Sequence, residues 1–315
     1  MKTAIVFPGQ GSQTVGMGKD LAFSYPEAKE IFERVDEALS ENLSGLIWEG
    51  DIEKLTETQN AQPALMATSM AILASIKVHG FKIEENVQFV AGHSLGEYSA
   101  LCASESISLE DTAKLLRVRG NAMQSCVRKG EGVMVAIMGL KVSEVEEIVS
   151  EASDIYHCQV ANDNDPSQVV ISGDYRAVSE AAEIAKKRGA KRAVNLNVSA
   201  PFHSSLMLPA AIEMQKALAS VEVRRPKVPV VMNTRASAIT DEKLIREYLV
   251  DQVTASVRWR ESILFMIENG VTKFLELGSG KVLTGLLRRI DRNVTGISVS
   301  NPVELDNFVG GSSYG

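Results

Sequence analysis

At 315 residues the chain is long enough to bury a sizeable core, as one large domain or two modest ones. Its apolar share of 45% and charged share of 23% are those of an ordinary globular protein, which excludes a disordered or low-complexity chain. The net charge of −7 argues against a general nucleic-acid binder, which is normally basic.

The first residues, MKTAIVFPGQ, offer one lysine and a short apolar run, too little for a signal peptide. No apolar run approaches a membrane-spanning length, so no membrane association is expected. Cys102, Cys126 and Cys158 are odd in number and far apart, which suggests neither a disulfide framework nor a metal site. A reducing cytoplasm is the expected compartment.

Ile5-Val6-Phe7 reads as a strand entering a glycine-rich loop, PGQGSQTVGMG. Helical spacing from Tyr25 to Leu39 (Ala28, Ile31, Phe32, Val35, Ala38) follows, with Pro26 where a first-turn proline is tolerated. Pro63 to Val78 is apolar nearly all round, a buried helix stopped at Gly80. Val87 to Ala91 is a short strand, Leu95 to Ala103 a helix and Leu109 to Val127 another, the order of an α/β layer with parallel strands.

From Gly132 the rhythm changes. Val133–Leu140, Ile155–Ala161, Gln168–Ser172 and Arg192–Val198 are strand-like, with helices at Val142–Ala152 and Tyr175–Arg188, giving the β-α-β-β-α-β order of a ferredoxin-like unit. The α/β style then resumes: a strand at Val228–Met232, helices at Glu242–Val250 and Glu261–Glu268, a strand at Lys273–Leu277 and a helix at Val282–Ile290. The expected division is residues 1–128 with 199–308 as a large subdomain, 129–198 as an insertion, and 309–315 as a flexible tail. Two basic clusters, Lys186-Lys187-Arg188 with Lys191-Arg192 and Arg288-Arg289 with Arg292, read as solvated helix faces or as docking patches for an acidic partner.

The glycine-rich loop fails as a phosphate loop. Gly18-Lys19 has Gln13 where the first glycine belongs and Asp20 where Ser or Thr belongs, and Thr14 stands where a dinucleotide fingerprint needs its third glycine. The chemistry lies instead at Gly92-His93-Ser94-Leu95-Gly96, a G-x-S-x-G directly between a strand and a helix. Such a turn exposes the serine hydroxyl and points the next amide, that of Leu95, at a developing oxyanion.

A serine nucleophile needs a base, ordinarily imidazole with a pKa of about 6.5. Of four histidines, His79 sits at a helix end, His157 on an expected strand, and His93 beside Ser94, where neighbouring side chains diverge. His203, in VSAPFHS at the exit from the insertion, is left by elimination. No third, acidic member can be nominated, so a Ser–His dyad oriented by a backbone or amide oxygen stays open beside a triad.

Blocks in order along the chain then resemble malonyl-CoA:acyl carrier protein transacylases and their relatives among polyketide acyltransferase domains: FPGQGSQTVGMG, AQPAL, GHSLGEYSAL, RVRGNAMQ, SAPFHSSLM and ELGSGKVLTGL. The resemblance implies a split α/β-hydrolase-like subdomain with a parallel sheet, carrying an inserted ferredoxin-like subdomain. It implies a malonyl ester on Ser94, His203 as base and then acid, and orientation of His203 by the backbone carbonyl of Gln252. The amides of Gln10 and Leu95 would form the oxyanion hole. Arg119 matches the arginine that pairs with the malonyl carboxylate, Phe202 a position whose bulk disfavours methylmalonyl, and Met123, Asn162 and Gln62 further pocket positions. Ser279 departs from the family, where many relatives have proline.

On this resemblance malonyl-CoA and holo acyl carrier protein, a transient acidic partner, are the substrates. No cofactor or metal is expected, because one thioester is exchanged for another. The rivals are a discrete polyketide acyltransferase, a serine thioesterase or esterase needing an acid partner, and an idle carrier-protein scaffold. A patatin-like lipase would use an Asp-Gly pair that the sequence lacks.

Overall fold

The computed structural model describes residues 2–128, 130–152 and 157–311. The first stretch contains β1 (Lys2–Phe7), α1 (Lys19–Ser24), α2 (Pro26–Leu39), α3 (Leu43–Glu49), α4 (Ile52–Thr56), α5 (Thr58–Val78), α6 (Ile83–Asn86), β2 (Phe89–Gly92), α7 (Gly96–Ala103) and α8 (Leu109–Ser125). Next come β3 (Gly132–Met138), α9 (Val142–Ala152), β4 (Cys158–Asp165), β5 (Gln168–Asp174), α10 (Tyr175–Lys187) and β6 (Arg192–Asn195). A single 3₁₀ turn, Ser205–Met207, leads to α11 (Leu208–Ala219), β7 (Val230–Met232), β8 (Ser237–Ile239), α12 (Glu242–Asp251), α13 (Trp259–Glu268), β9 (Val271–Leu277), α14 (Val282–Ile290), β10 (Thr295–Val299) and α15 (Pro302–Gly310).

Six strands form one sheet in the order β10-β9-β1-β2-β7-β8, parallel except for the β7–β8 hairpin. β1 and β2 lie at its centre and are buried on both faces, which is why they read as continuous apolar runs without alternation. Their register pairs Phe7 with Gly92, so the glycine-rich loop and the G-x-S-x-G turn leave the sheet side by side at its carboxyl edge. That edge is where open α/β sheets place ligands.

The second sheet is antiparallel, in the order β4-β5-β3-β6, with α9 and α10 on one face: the ferredoxin-like arrangement. β3 shows how it docks. Val135 and Ile137 join the small core with Val145, Ile148 and Val178, while Met134 and Ala136 on the opposite face join the main core. Main-chain bonds between Asp163 and Val257 (3.0 Å) and between Val257 and Ala161 (2.8 Å) stitch β4 to the large subdomain.

Several expected bounds move. α5 begins at Thr58, well before Pro63, because Pro63 lies inside the helix without breaking it. Proline has no N–H to give to the carbonyl four residues back. That carbonyl, of Gln59, instead accepts from Arg117 Nη1 at 2.5 Å. The longer α5 is apolar and long enough to cross a membrane by those criteria, contrary to the expectation of no such run, yet it is packed inside the domain against α2, α7 and α8. Of the expected strand at 155–161, residues 155 and 156 lie outside the described residues; β4 starts at Cys158, so His157 precedes the strand and is exposed. The expected tail begins too early, since Val309 and Gly310 close α15, and residues 312–315 lie outside the described residues.

Candidate active site

The turn after β2 has no space for side chains at either glycine. A Cβ on Gly92 would meet the Gly96 carbonyl at 1.9 Å, and one on Gly96 would meet the Phe7 carbonyl at 2.3 Å. Between them Ser94 is forced into the left-handed region at φ 53°, a strained conformation for a residue with a side chain. His203 is left-handed as well, at φ 55°. These two residues meet: Ser94 Oγ lies 2.7 Å from His203 Nε2.

The other ring nitrogen, Nδ1, is 2.8 Å from the main-chain carbonyl of Gln252, just past the end of α12. A carbonyl oxygen only accepts, so Nδ1 carries the proton and Nε2 faces the serine as an acceptor. Burial, then the nearby Arg119 charge, lowers the imidazole pKa to about 3. His203 is therefore neutral at pH 7 and ready to take a proton.

Arg119 projects from α8 and is only 1% exposed. Its position depends on Gly120, where a Cβ would lie 2.4 Å from Gln59 Cα, so α5 and α8 approach closely enough to bury the guanidinium. Nη1 donates to Gln62 Oε1 at 2.7 Å, and Nη2 donates to Gln252 Oε1 at 2.8 Å and to Ser94 Oγ at 3.1 Å. The relay continues outward, with Gln62 Nε2 donating to Thr58 Oγ1 (3.0 Å) and Thr58 Oγ1 to Gln10 Oε1 (2.8 Å). The two glutamines supply neutral acceptors, which hold the cation in place without cancelling its charge.

A cavity of about 280 Å³ opens above these groups, between the two subdomains. Ser94, His203, Arg119, Gln10, Leu95, Gln62, Met123, Asn162 and Phe202 all line it. Gln252 lies behind His203 and is fully buried. Met134 and Val170 from the small sheet, Leu196 just past β6, and Leu283 and Leu286 from α14 make the remaining wall largely apolar. Arg289 also lines it and pairs with Asp165, so of the two basic clusters only the C-terminal one reaches the cavity. In the other cluster Arg188 pairs with Glu147 and Glu151, and Lys186 with Glu183.

His93 and His79 have other partners. His93 Nε2 is 2.8 Å from Asn164 Oδ1, and its ring edge packs on Trp259. His79 caps the end of α5 and packs edge-on against Tyr25. Two polar residues at the turn escape sequence reasoning. Asn233 bonds to Ser94 and Gly92, and the buried Glu97 bonds to Asn233. Glu97 lies in GHSLGE, three residues beyond Ser94, and that adjacency was the only available signal.

Comparison with known proteins identifies the family. Residues 4–303 match the acyl transferase domain. The chain is 45% identical over 306 residues to the malonyl CoA-acyl carrier protein transacylase of Bacillus subtilis (strain 168), covering 97% of this chain and 95% of that one. Among solved structures, the acyl-carrier-protein-S-malonyltransferase of Bartonella henselae superposes with a TM-score of 0.96 at 51% identity, over 98% of this chain and 100% of the other. A malonyl-transacylase in complex with its type II polyketide acyl-carrier protein superposes with a TM-score of 0.96 at 38% identity, over 99% and 100%. The chain belongs to the acyl transferase domain family and, within it, to the malonyl CoA-acyl carrier protein transacylases.

Proposed function

We propose that the chain transfers a malonyl group from malonyl-CoA to the phosphopantetheine thiol of an acyl carrier protein through an ester on Ser94. The observation that carries this reading is the buried Arg119 fork 3.1 Å from the nucleophile's oxygen. An acyl group bound to Ser94 with its far end on Arg119 must be short and must end in a carboxylate, which describes malonyl. A planar guanidinium binds a carboxylate through two parallel bonds.

In the first half-reaction His203 Nε2 takes the Ser94 proton as Oγ attacks the thioester carbon. The amides of Gln10 and Leu95 hold the oxyanion, a role supported by the side-by-side exit of their loops and by Leu95 opening α7. As the carbon–sulfur bond breaks, the proton on Nε2 goes to the CoA sulfur. In the second half-reaction the carrier-protein thiol gives its proton to Nε2 and its sulfur attacks the ester. The carbon–oxygen bond breaks and Oγ regains the proton. One thioester replaces another, so the exchange needs no external energy source.

The resting Ser94 oxygen accepts from Arg119 while it donates to His203. A malonyl carboxylate on Arg119 takes over that donor and offsets the charge that depresses His203. Both changes make the serine more reactive when the right acyl group is present. Fatty-acid synthesis is the proposed setting; the similar polyketide complex supports a polyketide carrier protein as a second reading. None of the three cysteines forms a disulfide, which supports a cytoplasmic setting. Adding holo carrier protein to the malonyl-enzyme tests the function. Gain of a malonyl mass on the carrier is expected; release of free malonate instead would favour the thioesterase.

A further inference from the structure

The strained turn that aims Ser94 is held from outside itself. β7 lies beside β2 with Val90 opposite Val230 and Ala91 opposite Val231, so Asn233, just past the end of β7, comes alongside the turn. The Asn233 side chain grips it twice: Oδ1 accepts the Ser94 N–H at 2.8 Å, and Nδ2 donates to the Gly92 carbonyl at 2.7 Å. Asn233 is itself fixed through its main chain. Its N–H donates to Glu97 Oε2 at 2.6 Å, and its carbonyl accepts from the Arg258 N–H at 3.0 Å. Gln252 Nε2 closes the turn by donating to the Ser94 carbonyl at 2.9 Å.

Glu97 is a costly choice for this task. It is fully buried, and its second oxygen, Oε1, has no hydrogen-bond partner. An unsatisfied buried carboxyl oxygen is unfavourable, and such groups persist where the surroundings require them. The carboxyl also lies close enough to Arg119 to feel its charge.

We propose that Asn233, braced by Glu97, is a positioning residue for acyl transfer: it holds Ser94 in its left-handed conformation so that the hydroxyl meets His203 and the Leu95 amide meets the oxyanion. Burial pushes the Glu97 carboxyl up to about 8, so it is mostly protonated at neutral pH and a glutamine is its closest neutral mimic. The proposal rests on Ser94 being the nucleophile.

The test is single-turnover acylation by malonyl-CoA, followed by intact mass, together with malonyl-CoA affinity measured in a Ser94→Ala background. Asn233→Ala should slow acylation roughly 30- to 100-fold, the size expected from losing two hydrogen bonds that orient the nucleophile. Malonyl-CoA affinity of the Ser94→Ala/Asn233→Ala protein should stay within about twofold of Ser94→Ala alone. Glu97→Ala should slow acylation about 10-fold, and Glu97→Gln, which still offers the Asn233 N–H an acceptor, should recover most of that loss. The Glu97 pair keeps the test intact if Asn233→Ala does not fold. Parallel losses of acylation and affinity, or a Glu97→Gln protein no faster than Glu97→Ala, would overturn the positioning role alone. Malonylation of the Ser94→Ala protein would overturn both this proposal and the nucleophile on which it rests.

Discussion

Replacing Arg119 by alanine should separate malonyl transfer from acyl transfer in general. The guanidinium has two nitrogens free to turn from their resting acceptors, Gln62, Gln252 and Ser94, toward a ligand carboxylate. A charge-assisted hydrogen bond contributes roughly 1.5–3 kcal/mol, so loss of a two-bond clamp should lower kcat/KM for malonyl-CoA by about 10²–10⁴. Acetyl-CoA has no carboxylate to lose. Its acylation of Ser94 should hold or rise, because the change removes a donor from the serine oxygen and a charge that depresses His203. Arg119→Lys, which keeps the charge without the fork, should fall between. The assay is acyl-enzyme formation with each donor, read by intact mass at several concentrations. A parallel loss for malonyl and acetyl donors would show that Arg119 supports the site generally and selects nothing.

His203 makes a prediction about pH. A base whose folded pKa is lowered stays neutral in the fold down to that value, so malonyl-CoA acylation should show no His203 limb near pH 6.5, its ordinary range. Stability carries the sign of the shift instead: below about 6.5 the unfolded chain binds a proton the fold refuses, so stability should fall as pH drops toward about 3. A rate profile that falls through pH 6 to 7 with the midpoint of an ordinary imidazole would contradict this. Gly120→Ala gains helix propensity of up to about 1 kcal/mol but drives a Cβ to 2.4 Å from Gln59 Cα, so a net loss of roughly 1–3 kcal/mol is expected in thermal melts. An unchanged melting temperature would show that α5 and α8 part freely. Phe202→Ala should raise the methylmalonyl-to-malonyl acylation ratio on the order of 10-fold, the lower range for one methyl in a pocket, and an unchanged ratio would move the steric limit elsewhere.

The parts of the site legible in the sequence are those in which residue type and local context agree. Ser94 stands between a strand and a helix with glycines that only close packing explains, and the β-α-β-β-α-β order is written in the short apolar run of β3, buried on both faces, and the amphipathic α9 and α10. His203 is reached by elimination among four histidines. Gln252 is reached by resemblance alone, since a backbone carbonyl leaves no trace in residue type. Asn233 acts on the turn from the end of a neighbouring strand, 139 residues from Ser94, so nothing local marks it, and Glu97 is marked only by its place three residues beyond Ser94. The start of α5 is hidden because its proline is compensated by Arg117 on another helix. α11 has no strong periodicity, and β10 is a half-exposed edge strand without alternation, so neither declares itself.

In the proposed reaction Ser94 carries the malonyl group between two thiols. Incubation with malonyl-CoA, intact-mass measurement and peptide mapping test it directly. One malonyl addition is expected, located on the peptide containing Ser94, discharged by holo carrier protein and absent from Ser94→Ala. A malonyl adduct on Ser94→Ala, or one mapped to another residue and still discharged by carrier protein, would contradict it.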